Sequence, residues 1–116
     1  ADQYHDEYVR PQESGTKGGL RWWTVADSAG TGLTILADAP FSASALPYAT
    51  ADLDVSNFPP QQHSGTLVAR DATFVNFDLL QSGLGCIDSW GALPEKQFRV
   101  PYGDYTFRFM LKPTVK

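Results

Sequence analysis

The chain has 116 residues and a mass of 12.7 kDa, which suits one domain. It is far short of the roughly 250 residues of a TIM barrel. Apolar residues make up 42% and charged residues 19%, with seven Phe, five Tyr and three Trp, so the composition is that of a globular chain. Nine basic against 13 acidic residues leave a net charge of −4. A nucleic-acid partner is therefore not expected, because phosphate neutralisation needs clustered Lys and Arg. A membrane partner is not expected either, since no apolar run approaches the ~18 residues of a spanning helix.

Residues up to about Gly19 show little periodicity and read as a long surface loop. Leu20–Val25 reads as a strand, with Trp22 and Trp23 pointing to opposite faces. One tryptophan is expected in the core, and the other against a partner. A Ser28-Ala29-Gly30 turn then leads into Thr31–Leu36, which predicts a hairpin. Phe41–Leu46 is a further strand candidate. Thr50 is a candidate cap for a short helical turn through Asp52 and Leu53. That turn would end near Asn57, before Pro59-Pro60. Thr66–Arg70 and residues 72–80 are strand candidates, the latter with Val75, Phe77 and Leu79 alternating against Phe74, Asn76 and Asp78. Gln97–Val100 precedes a Pro101-Tyr102-Gly103-Asp104 turn. The last strand places Tyr105, Phe107, Phe109 and Leu111 on one face. Short strands about ten residues apart, with Gly and Pro between them, predict an all-β antiparallel sandwich with little helix. It is read as one domain over residues 1–116.

The residues offer little catalytic chemistry of their own. No Gly-x-Ser-x-Gly elbow is present, and His5 and His63 sit in polar loops with no partner fixed by spacing. Two isolated histidines and the single cysteine, Cys86, form no metal-ligand spacing. Cys86 reads as a small residue filling a loop corner, with no basic neighbour to activate it. The glycines lack the following helix that a phosphate cradle needs. A retaining glycosidase needs two carboxyl groups about 5–5.5 Å apart. Nothing in the order of Glu7, Glu13 and Glu95 places such a pair. Met110 is the sole methionine, so the chain is expected to have been processed or cut from something longer.

One segment stands out: Gly83-Leu84-Gly85-Cys86-Ile87-Asp88-Ser89-Trp90-Gly91. Glycines permit positive φ and close approach to another surface. A tryptophan at the end of such a loop can offer a flat apolar face to a sugar ring. Asp88 and Ser89 can hold the loop by hydrogen bonds. The same Trp90 could instead cap the end of the sandwich as a core residue, and the residues alone leave both readings open.

Three ordered blocks then resemble the C-terminal part of the last domain of LacZ-type β-galactosidases, in family 2 of the glycoside hydrolases. Tyr8-Val9-Arg10-Pro11-Gln12-Glu13-Ser14-Gly15 is similar to the family's Tyr-Val-x-Pro-x-Glu-Asn-Gly, with Ser14 for Asn. Phe41-Ser42-Ala43-Ser44-Ala45-Leu46-Pro47-Tyr48, followed by Asp52-Leu53, is similar to Phe-x-x-Ala-Leu-Pro-Tyr-x-x-x-Asp-Leu. Asp78 through Gly91 is similar to Asp-x-x-x-x-Gly-x-Gly-Gly-Asp-Asp-Ser-Trp-Gly, with Cys86 for Gly and Ile87 for Asp. The closing Tyr105-x-Phe107-x-Phe109 also fits, so the resemblance covers about residues 6 to 112.

The resemblance implies a portion of a large antiparallel β-sandwich, belonging to an enzyme that hydrolyses terminal β-galactosides such as lactose with retention. The catalytic glutamates of that family, and its magnesium with sodium as a second candidate ion, belong to a barrel this chain does not contain. No catalytic residue and no metal ligand are therefore expected here, and the segment alone is expected to be inactive. Trp90 matches the family tryptophan that stacks on the leaving-group side of the site, with Asp88 and Ser89 supporting the loop. The partners implied are the rest of the β-galactosidase chain and a galactoside. The departures at Cys86 and Ile87 put the path of the loop in doubt. A stand-alone carbohydrate-binding sandwich, or a separate small subunit, is the alternative. A strand edge and apolar face left open would also invite self-association, so a homo-oligomer is a candidate state.

Overall fold

The computed structural model describes residues 15–53, 67–83 and 91–115. Its strands are β1 (Lys17–Ala26), β2 (Gly32–Leu46), β3 (Phe74–Asp78) and β4 (Phe109–Thr114), joined into one antiparallel sheet. A single helical turn, α1 (Thr50–Leu53), and a 3₁₀ turn over Lys96–Phe98 are the helical elements among the described residues. The architecture is thus an all-β, sandwich-like domain with almost no helix, as the period-two patterning predicts.

β2 is the spine. Its 15 residues, starting at Gly32, join the predicted strands Thr31–Leu36 and Phe41–Leu46 into one, with Thr31 left in the turn. β1 lies along one edge of it, from Ala26 opposite Gly32 to Lys17 opposite Ala43. The other edge is shared end to end. β4 pairs with Gly32–Ala37, and β3 pairs with Ser42–Leu46. Pro40 falls between the two partners, where the β1 register also jumps from Leu36 opposite Trp22 to Phe41 opposite Leu20. Proline has no N–H to give a ladder, so the bulge is the one place a central strand accommodates it. A second irregularity, at Gly18-Gly19, sets β1 one residue out of step, and Gly19 takes φ +69 there.

The β1–β2 hairpin follows the predicted turn. Asp27 N–H donates to Thr31 O at 2.9 Å, Gly30 N–H donates to Asp27 O at 3.0 Å, and Thr31 N–H donates to the Asp27 carboxylate at 2.9 Å. Gly30 adopts φ 88, which glycine takes without a Cβ penalty.

The core is small. Trp23, Ile35, Phe41 and Ala43 are buried, and Leu20, Val25, Ala37, Ala45, Val75, Phe77 and Phe107 pack against them. Phe107 stacks obliquely on Phe41 and Phe77, at centroid distances of 6.4 and 6.2 Å, and Phe77 meets Phe109 edge-on at 4.8 Å. The aromatic face predicted for the last strand is therefore the lid of this core. The tryptophan pair divides as expected: Trp23 is 7% exposed and Trp22 is 65% exposed.

Two expectations are corrected. Thr66–Arg70 was expected as a strand, but residues 67–70 carry no ladder. The Arg70 N–H instead donates to Pro47 O at 2.8 Å, which holds the segment against the end of β2. Ahead of the Pro101 turn, Phe98 N–H donates to Glu95 O at 2.8 Å and closes the 3₁₀ turn. The last strand starts at Phe109 rather than Tyr105; the Tyr105 hydroxyl donates to Pro101 O and closes the preceding turn.

Candidate functional site

The loop singled out by sequence is described only at its two stems. Residues 84–90, and with them Cys86, Ile87, Asp88, Ser89 and Trp90, lie outside the described residues, as do His5, His63, Glu7 and Glu13. The entry stem is Gly83, whose N–H donates to Phe98 O at 2.6 Å. A Cβ on Gly83 would stand 2.7 Å from the Phe98 Cβ and 3.3 Å from the Phe98 carbonyl oxygen. Real Cβ atoms do not approach carbon so closely, so glycine is needed for this contact. The exit stem is Gly91 at φ 122, with open space where a Cβ would project. One glycine is thus required by crowding and the other by its dihedral.

The ground under the entry stem is a folded-back strap. Pro94 is buried, and its carbonyl accepts from Arg99 Nε at 2.5 Å. The 3₁₀ turn between them carries Phe98 to Gly83. Glu95, one of the glutamates considered for chemistry, is exposed and flanks this turn.

The second family-like block builds a clasp of its own. Phe41, Ala43, Ser44, Leu46 and Tyr48 are all buried. At their C-terminal end the Asp52 carboxylate accepts from Ala49 N–H at 2.8 Å, while Asp52 N–H donates to Ala49 O at 2.9 Å. Asp52, not Thr50, therefore holds the start of α1, in the manner of a capping box. Arg70 completes the clasp. Its Nε donates to Asp52 Oδ2 at 2.7 Å and Nη2 donates to Oδ1, with the guanidinium 5.7 Å from the centroid of the Phe74 ring. These bonds hold the Asp52 carboxyl below its ordinary range, the Arg70 bond first and the Ala49 N–H second, while Arg70 is raised by the same partner. Sequence reading missed Arg70, since no helical or strand period links positions 52 and 70. Asp52 is spent on structure, with both carboxylate oxygens engaged.

Chemistry elsewhere is sparse. Among the described residues no three His, Cys, Asp or Glu side chains stand close enough to hold a metal. An open cleft of about 350 Å³ lies under the hairpin end, lined by residues such as Val25, Leu33, Ile35, Thr73 and Val75. Asp27 is its one carboxylate, already bonded to Thr31 N–H. The cleft is thus an apolar recess without acid–base machinery.

The described residues thus form an all-β sandwich-like domain with a loop bounded by Gly83 and Gly91. The β-galactosidase small-chain family model matches residues 1–111. Named relatives match as well: the β-galactosidases of Priestia megaterium and Streptococcus thermophilus are each 34% identical over 108 residues, covering 91% of this chain and 10% of theirs. The β-galactosidase of Photobacterium profundum is 30% identical over 117 residues, covering 97% of this chain and 10% of its own. The chain belongs to the β-galactosidase small-chain family. It spans about a tenth of the length of the curated relatives it matches.

Proposed function

We propose that this chain is the non-catalytic, last-domain portion of a glycoside hydrolase family 2 β-galactosidase, one that hydrolyses terminal β-D-galactosides such as lactose with retention. The observation that carries the proposal is the family match over residues 1–111, which includes the whole Gly83–Gly91 loop. In this reading the catalytic carboxylates and the magnesium or sodium ions belong to the rest of the β-galactosidase polypeptide. This chain contributes no acid, base or nucleophile. It contributes a wall.

That wall is Trp90, whose indole would stack on the leaving-group sugar, with Asp88 and Ser89 steadying the loop by hydrogen bonds. An apolar ring face against a sugar's C–H face excludes water and orients the ring without demanding one hydroxyl pattern. The stems support a loop of fixed footing, because Gly83 is pinned to Phe98 and Gly91 takes a turn that L-residues avoid. Cys86 and Ile87 stand where the family pattern has a glycine and an aspartate.

The test is Trp90→Ala in a β-galactosidase polypeptide carrying this chain. Loss of an aromatic platform is worth on the order of 1–3 kcal/mol, which is about 5- to 150-fold in affinity. The KM for lactose and the inhibition constant for glucose should rise within that range, while galactose affinity stays unchanged. Unchanged lactose and glucose affinities would remove the role from Trp90.

A further inference from the structure

Trp22 on β1, Leu36 on β2 and Met110 on β4 sit directly opposite one another, so they form one row across three strands. All three point away from the core and are 65%, 39% and 62% exposed. Two residues further along, the same face carries Thr24, Thr34 and Lys112 in the next row. There Thr24 and Thr34 bond to each other at 2.8 Å, and Thr34 bonds to Thr114 at 3.0 Å. The hydroxyls are therefore already occupied with one another, and the face offers an apolar bar bordered by Lys112 on one side and by Asp38 and Arg108, paired through Asp38 N–H and Arg108 O, on the other.

Resting on the β-galactosidase reading above, we propose that this bar is the docking surface for the remainder of the β-galactosidase polypeptide. The occupant is a flat apolar patch of that remainder, with an acidic or carbonyl acceptor at the border facing Lys112 and polar groups at the border facing Asp38 and Arg108. Size argues for this occupant over a second copy of the chain. The exposed parts of the three side chains amount to on the order of 300–400 Å². A stable complex between separate molecules buries about 800 Å² on each partner. A tethered segment loses little translational and rotational freedom on docking, so a smaller patch suffices. The relatives supply that tether, since about nine-tenths of each lies outside the match.

Met110 provides the readout, because it is the sole methionine of the chain. The experiment replaces the matched stretch of the Priestia megaterium β-galactosidase with this chain and measures peroxide oxidation of Met110 by peptide mass spectrometry. A Trp22→Ser/Leu36→Ser variant and the free 116-residue chain are run beside it. Docking predicts Met110 oxidation at least tenfold slower in the active chimera than in the free chain, with the variant restoring most of the rate while lactose hydrolysis is retained. Oxidation in an active chimera as fast as in the free chain overturns the docking surface and leaves the enzyme reading standing. A chimera that folds but hydrolyses no galactoside fails the enzyme reading, and the proposal with it. Concentration-dependent protection of Met110 in the free chain assigns the face to a second copy and also overturns the proposal.

Discussion

Arg70 reaches across 18 residues of chain to bind both oxygens of Asp52, and the same carboxylate takes the N–H of Ala49. One side chain thus ties the end of β2, the start of α1 and the segment leading to β3. A planar guanidinium does this through a fork that a lysine ammonium cannot reproduce.

The clasp gives a pH dependence with a definite sign. The Asp52 carboxyl is depressed in the folded chain, chiefly by Arg70. Its stabilisation is therefore complete above the ordinary carboxylate pKa of about 3.9, and is lost as pH falls through the lower folded value. Amide protection factors at Asp52 and Arg70, taken relative to the unstructured rate at each pH, should fall across that acidic window. Asp52→Asn should show lower protection above that window and converge with the unmodified chain below it, and Arg70→Lys should keep only part of the protection. A flat profile in the unmodified chain would contradict the clasp.

Adjacent tryptophans should differ in cost. Ile35, 1% exposed, packs on the same core as Trp23. Ile35→Ala should lose about 2–5 kcal/mol and Trp23→Ala about 3–5 kcal/mol by urea unfolding of a folded polypeptide carrying the chain. Trp22→Ala removes a ring that this core does not use. In the free chain its cost should stay below about 1 kcal/mol.

Gly32 opens β2 directly opposite Ala26. A Cβ there would lie 2.0 Å from the Val25 carbonyl oxygen and 2.5 Å from the Ala26 Cα, both backbone atoms. Gly32→Ala must therefore spread the hairpin. The expected loss is about 1–3 kcal/mol, with faster exchange at Asp27 and Thr31. Gly103→Ala, with nothing near its Cβ, is the neutral control.

The loop stems should fail in different ways. Gly83→Ala meets the Phe98 Cβ and should break the Gly83–Phe98 bond, with a cost of about 1–3 kcal/mol. Gly91→Ala meets no atom and suffers only from its φ of 122, at about 1–3 kcal/mol of backbone strain. A compensating Phe98→Ala leaves the Phe98 Cβ in place, so it should not rescue Gly83→Ala. Stability measured on the two singles and the double decides this.

The period-two pattern made the class of fold legible, along with the hairpin and the division between Trp22 and Trp23. Side-chain alternation is a local property, so it survives without tertiary information. The fusion of two predicted strands into β2 was not legible, because Pro40 looks like a break and becomes a bulge only when β1, β3 and β4 surround it. Arg70 was misplaced in a strand for a related reason: its partners are Pro47 and Asp52, contacts that no periodicity encodes. At the candidate site the glycine stems could be read from sequence. The crowding of Gly83 by Phe98 could not, since it joins positions set in register only by the folded strap.

The shared edge of β2 also sets an order of assembly. Thr34 waits for Thr114, eighty residues later, before that half of its ladder can close. At ribosomal rates of about 5–20 residues per second, this stretch of edge stays bare for roughly 4–16 s during synthesis. Any slowing of translation between Thr34 and Thr114 lengthens the time for which the Gly32–Ala37 edge lacks its partner strand.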